Sequence, residues 1–149
     1  MHVRSAPHDG RGFEYEFSGY TFDWARQVFG WHSGCCFKSA MRRVKKCQRC
    51  LNWNPARPRT PLAQCLFRRV SARLGSRKAS ELRLFMAIGS SLDLMGVDCW
   101  FERDHLIATI DLTVSIGKVE PKANFVITRD NFLRDEYYQV SDLIAERLY

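Results

Sequence analysis

VDCWFERDHLIATIDLTV, residues 97–114, decides the fold of this chain. Two apolar runs, VDCWFE (97–102) and LIATIDLTV (106–114), flank a polar pair, Asp104-His105. Apolar runs of this length bounded by a turn signal read as strands. A two-residue loop makes Arg103 face Leu106 and, counting back, Asp98 face Asp111. Side chains alternate across a strand. One face of the hairpin then carries Val97, Cys99, Phe101, Leu106, Ala108, Ile110, Leu112 and Val114. It is wholly apolar, and a slip of one residue would scramble it, which fixes the register. The other face carries Asp98, Trp100, Glu102, Ile107, Thr109, Asp111 and Thr113.

That second face raises a chemical question. Carboxylates on directly opposed residues stand about 5 Å apart at Cβ and repel. A shared proton or a bound cation relieves the repulsion. Two carboxylates on rigid strands suit Mg²⁺, or Mn²⁺, which takes one or two of them and keeps waters. The competing reading is that Asp98, following Gly96, caps a turn and Asp111 sits on a solvent-facing strand.

Outward from the hairpin, ELRLFMAI (81–88) reads as a helix capped by Ser76 or Ser80, and LAQCLFRRVSARL (62–74) as a helix ended by Gly75. The stripe of the latter is Leu62, Leu66, Val70 and Leu74, with Arg68, Arg69 and Arg73 off it. After the hairpin, ANFVITR (123–129) is a third strand. EYYQVSDLIAERLY (136–149) is a closing helix with Val140, Leu143, Ile144 and Leu148 on one side. The expected core is therefore α/β (α+β). It is a small mixed sheet built on a central hairpin with flanking helices.

Upstream, CCFKSAMRRVKKCQRCLNW (35–53) reads as a basic helix, and NPARPRTP (54–61), with three of the five prolines, as a linker. The division expected is a basic, mainly helical N-terminal extension over 1–60 and a core over 61–149. GFEYEFSGY (12–20) is a short strand candidate and Asp23 a helix cap.

Charge follows the same division. Residues 1–83 hold 17 Lys and Arg against 5 Asp and Glu, a balance of +12. Residues 84–149 hold 6 against 11, a balance of −5. Such asymmetry points to a polyanion, of which nucleic acid is the commonest, and to salt-sensitive phosphate contacts. DNA is preferred to RNA. The candidate phosphate-binding residues are Arg42, Arg43, Lys45, Lys46, Arg68, Arg69 and Arg73. No apolar run reaches the ~18 residues of a membrane span, and no apolar signal segment opens the sequence, so a cytoplasmic protein with no membrane partner is expected.

Cys35, Cys36, Cys47 and Cys50 are the candidate ligands for a structural Zn²⁺, because one C-x-x-C lies within reach of an upstream cysteine pair. Ordinary thiols are the competing reading. Cys65 and Cys99 fall at apolar positions and read as core.

Glu81, Asp98 opening one strand and Asp111 on the next resemble the PD-(D/E)xK nuclease superfamily over residues 80–130. The resemblance implies a helix followed by a hairpin bearing the acidic residues, Mg²⁺ (or Mn²⁺) held by Asp98 and Asp111 with Glu81 as a third carboxylate, and hydrolysis of a phosphodiester. The family usually has a lysine two residues after the second acid, where this chain has Thr113, and a proline where it has Val97. GVDCWFE…IDLTVSIGK also resembles uncharacterised phage and bacterial proteins with a GVD-x-FF…DLT-x-N-x-x-K pattern, which gives Lys118 the catalytic basic role. The function expected is metal-dependent hydrolysis of nucleic acid. The alternatives are a non-catalytic nucleic-acid-binding protein with an inactive nuclease-like fold or a small zinc-stabilised module, and an interaction protein docking an acidic partner.

Overall fold

The computed structural model describes residues 41–42, 44–46, 48, 53–87, 97–113, 123–128 and 137–149. The expected strand at 12–20, the Asp23 cap, Arg43, Lys118 and the cysteines Cys35, Cys36, Cys47 and Cys50 lie outside them.

The architecture is a mixed α+β fold. Helix α1 (Pro61–Leu74) and a short turn of helix α2 (Ser76–Ala79) lead into strands β1 (Arg83–Met86), β2 (Cys99–Arg103), β3 (Leu106–Thr113) and β4 (Phe125–Thr128). Helix α3 (Tyr137–Leu148) closes the chain. The sheet order is β1-β2-β3-β4; the first three strands are antiparallel, and β4 runs parallel to β3. Parallel neighbours need a crossover. The chain therefore leaves β3 at Thr113 and re-enters beside Ile110, the partner of Phe125.

The hairpin register is the one its alternation dictates, from Cys99 opposite Ile110 to Arg103 opposite Leu106. Asp104 takes the turn at φ 57, a conformation Asp tolerates better than most residues.

Helix α1 begins with Pro61 in its first turn, where a missing N–H costs nothing, and ends at Gly75, whose φ of 86 suits only glycine. Its stripe Leu62, Leu66, Val70 and Leu74 is fully in the core. Each such side chain contributes about 1.5–3 kcal/mol by leaving water. The stripe packs with Ile144, Ala145 and Leu148 of α3 against Leu84, Met86, Cys99, Phe101, Ala108, Ile110, Leu112 and Ile127 on the first face of the sheet. In α3 the buried positions are Tyr137, Ser141, Ile144, Ala145 and Leu148. Leu143, expected on that stripe, is 53% exposed, because it lies about 100° around the helix from Ile144.

The expected helix over 81–88 is strand β1 instead. Leu84 and Met86 point into the first core and Phe85 into a second, so all three are buried. A strand covered on both faces has no polar alternation to betray it.

The second face is covered by helical residues within 41–46: Met41 and Val44 pack with Phe85, Ala87, Val97, Trp100 and Ala123. The chain then closes the outer edge of β1. The Gln48 amide donates to the Met86 carbonyl at 2.8 Å and accepts from the Met86 N–H at 3.0 Å. Trp53 Nε1 donates to the Leu84 carbonyl at 2.8 Å, and Leu84 N–H donates to the Pro55 carbonyl at 2.9 Å. An exposed strand edge invites pairing with other chains; here Gln48, Trp53 and Pro55 stand where a fifth strand would. Met41, Val44 and Trp53, placed by the sequence in the N-terminal extension, are thus part of the packing of the core, and Trp53 belongs to the first cluster.

Candidate metal and nucleic-acid site

Asp98 sits in a bend immediately before β2. Its N–H donates to the carbonyl of Ile110, although the Cα partner of Ile110 is Cys99. Two consecutive residues of one strand thus oppose a single residue of the other, which is a β-bulge. The strict facing of Asp98 and Asp111 therefore stops one residue short. Consistent with the bulge, Val97 packs in the second core rather than on the first face.

The bulge re-aims the Asp98 side chain. Its Oδ2 accepts from Leu112 N–H at 2.6 Å, taking the ladder bond that β2 no longer supplies. Leu112 N is joined to Asp111 through one carbonyl carbon, so this oxygen stands within roughly 5 Å of the Asp111 Cα. Asp111 lies between Ile110 and Leu112, which both enter the first core, and so belongs to the second face. Both aspartates are withdrawn from solvent, at 8% and 3% exposure. The reading of Asp111 on a solvent-facing strand is overturned.

Beside them lies a polar pair. Asn124 N–H donates to Thr109 Oγ1 at 2.8 Å, and Asn124 Oδ1 accepts from Thr109 N–H and Oγ1 at 3.1 and 3.0 Å. This pins the entry of β4 two residues from Asp111. The second face is therefore divided. Phe85, Trp100 and Ile107 lie towards the hairpin turn and β1, and Thr109, Asp111 and Asn124 lie towards β4.

Glu81 is not part of this cluster. It lies in the turn before β1, not on a helix, and its carboxylate pairs with Arg103 at 3.3 Å. Arg103 is the last residue of β2, five residues from Asp98, or about 16 Å along the strand. Glu81 cannot ligate an ion held by Asp98 and Asp111. Among the described residues no group of three or more His, Cys, Asp or Glu converges as a metal site. The donor set would be two carboxylates, the number Mg²⁺ commonly takes from a protein. One Asp98 oxygen is oriented by a backbone N–H, so the pair fits such an ion.

The basic residues fall on opposite sides of the sheet. Arg42, Lys45 and Lys46 are exposed on the segment that covers the second face. Lys45 bonds Glu102 at 2.9 Å and lies 5.1 Å from the centre of the Phe85 ring; Glu102 in turn accepts from Trp100 Nε1 at 2.7 Å. Arg68, Arg69 and Arg73 stand on α1, beyond the first face. There Asp142 of α3 draws Arg69 and Arg73 to 3.6 and 3.3 Å, and Arg69 stacks on Tyr138 at 4.5 Å. Of the two trios, the first shares a face with Asp111.

Sequence reasoning missed the basic cleft beside β1. It encloses about 660 Å³ and is lined by Lys45, Lys46, Gln48, Trp53, Asn54, Pro55 and Arg59. Its signal was the aromatic-basic run around Trp53, but a linker reading of 54–61 hid it. Among the described residues no helix is long and apolar enough to cross a membrane. No protein-family model, curated protein or solved structure matches this chain.

Proposed function

We propose that this chain is a divalent-metal-dependent phosphodiesterase acting on nucleic acid. The observation that carries the reading is the burial of Asp98 and Asp111 at one end of the sheet, with Asp98 Oδ2 on the N–H of Leu112, the residue after Asp111. Burying carboxylates is costly, and a bound divalent cation would offset that cost for both. Bulges recur where a protein re-aims a side chain for function. The order helix, strand, hairpin, parallel strand also supports the likeness to the PD-(D/E)xK nucleases, although VSIGKVEPK (114–122) is short for the family's crossover helix.

Asp98 and Asp111 would hold Mg²⁺ or Mn²⁺, which would supply an activated water and charge stabilisation at the phosphorus. Leu112 N–H orients one Asp98 oxygen. Arg42, Lys45 and Lys46, on the same side of the sheet, would attract the phosphate backbone. Lys118 is carried by the resemblance as the basic residue beside the reacting phosphate.

A second reading rests on Thr113. It stands two residues after Asp111, paired with Thr128, where the family places its lysine. A chain lacking that lysine would bind nucleic acid without cutting it.

Calorimetry with Mg²⁺ and with Mn²⁺ at neutral pH separates these readings. The proteins are wild type and the double variant Asp98→Asn/Asp111→Asn, whose amides keep an acceptor for Leu112. The expected outcome is binding by wild type alone, followed by metal-dependent cleavage of DNA. Binding without cleavage selects the second reading, and equal heats remove the metal site.

A further inference from the structure

We infer that the cleft along the outer edge of β1 is a phosphate-binding site for a polynucleotide backbone, a reading that deepens the proposed function and rests on it for the class of ligand. Lys45, Lys46 and Arg59 line it together with Asn54, over Gln48 and Trp53, and no carboxylate is among its lining residues. A concave wall carrying one sign of charge over a low-dielectric floor concentrates counter-charge.

The floor is rigid. The Gln48 amide and the Trp53 indole N–H are committed to β1, at 2.8 Å from the carbonyls of Met86 and Leu84. Gln48 is 2% exposed and Trp53 7%. Asn54 is fixed as well, its Oδ1 accepting from Ala56 N–H at 3.0 Å. The cations on the rim therefore approach a ligand from a preformed wall, which lowers the ordering cost of binding.

Two observations favour a polymer over a lone phosphate. Lys45 and Lys46 also line a second cleft of about 400 Å³ with Arg42, floored by Met41 and Ile107 and holding Glu102, the partner of Lys45, so the two lysines form a ridge between adjoining depressions. The cleft also flanks the end of β1 nearest the carboxylates, where Ala87 N–H donates to the Asp98 carbonyl at 2.9 Å. Two strand spacings, on the order of 10 Å, separate the β1 edge from β3, where Asp111 lies. A chain of phosphates spans that interval, and a single phosphate does not.

The test is binding of a fluorescent single-stranded DNA oligonucleotide in EDTA, followed by anisotropy across a salt series, where cleavage cannot occur. Lys46→Ala/Arg59→Ala should weaken binding at least tenfold near 0.15 M salt and lower the log–log salt slope by about 1.4, from about 0.7 per phosphate contact on a single strand. Arg77→Glu changes net charge by the same two units on exposed α2, away from the cleft, and should leave the slope unchanged. Inorganic phosphate should compete only at concentrations far above those of the oligonucleotide. An unchanged slope in the double variant, an equal loss in Arg77→Glu, competition by phosphate as effective as by oligonucleotide, or no binding by wild type would each overturn the site. Because binding is read in EDTA, a failed metal titration would remove the nuclease reading without touching the cleft.

Discussion

On one face of the sheet, Cys99 and Phe101 of β2 and Ala108, Ile110 and Leu112 of β3 are all apolar and all buried under α1 and α3. On the other face the same two strands supply Trp100 and Ile107, then Thr109 and Asp111, beneath a segment rich in Arg and Lys. One hairpin thus builds a surface that only stabilises and a surface where stability is traded for charge. Asp98 serves the fold by accepting from Leu112 N–H, yet it and Asp111 bring two carboxylates into the buried sheet. Places where a sequence departs from the local folding optimum are where function concentrates.

The largest effects test whether both faces are truly core. Phe101→Ala on the first face and Trp100→Ala on the second should each cost about 3–5 kcal/mol in chemical denaturation. Trp100 is completely buried and stacks on Phe85 with ring centres 5.2 Å apart. A loss below about 1 kcal/mol for Trp100→Ala would mean that the basic segment does not pack, and the comparison of the faces would collapse.

Metal should act on one face only. At a hundredfold excess over its Kd, Mg²⁺ or Mn²⁺ should stabilise wild type by about 2.7 kcal/mol. That corresponds to a rise in Tm of roughly 5–11 °C for a chain of this size. Asp98→Asn/Asp111→Asn should show no shift, while Phe101→Ala should start lower and gain the same increment. A gain retained by the double Asn variant would move the metal elsewhere.

Gln48→Leu comes next. It keeps volume but leaves the Met86 N–H and carbonyl without their partners, at a cost of about 1–3 kcal/mol per stranded group. Hydrogen exchange should accelerate at Met86 more than at Leu84, whose partners Pro55 and Trp53 remain. Uniform acceleration would show that the edge is held as one unit with the basic segment.

What the sequence disclosed follows from the same contrast. The hairpin register was legible because a wholly apolar face fixes it, and α1 was legible because its stripe and its glycine stop coincide. β1 was hidden because Leu84, Phe85 and Met86 are buried on both faces, and Glu, Leu, Arg, Met and Ala all favour helices. The bulge was hidden too: the counting that opposed Asp98 to Asp111 assumes an unbroken ladder, and one extra residue is invisible to alternation. The identity of the paired aspartates could be read, but not their burial, because the covering segment lies some fifty residues earlier in the chain. Gln48 gave no signal at all, since a side chain that imitates a neighbouring strand is specified only by tertiary contact.

The smallest effect at neutral pH concerns an ionisable seam of the apolar face. Tyr137 is buried between α3 and α1, with its hydroxyl against the Cys65 thiol. Burial, and then the contact with Cys65, pushes the phenol well above its ordinary value of 10.0. Above that pH the unfolded chain releases a proton that the folded chain retains, so stability falls as pH rises. The contribution is intact below about pH 10 and fades above it. Tyr137→Phe should cost about 0.5–1.5 kcal/mol at pH 7, the worth of one hydrogen bond. It should also flatten the decline of wild type between pH 10 and 11. Denaturant midpoints for both proteins across that range decide the matter. Parallel declines would place the alkaline weakness elsewhere, and a steeper decline in the variant would mean that the phenol protects the apolar face rather than limiting it.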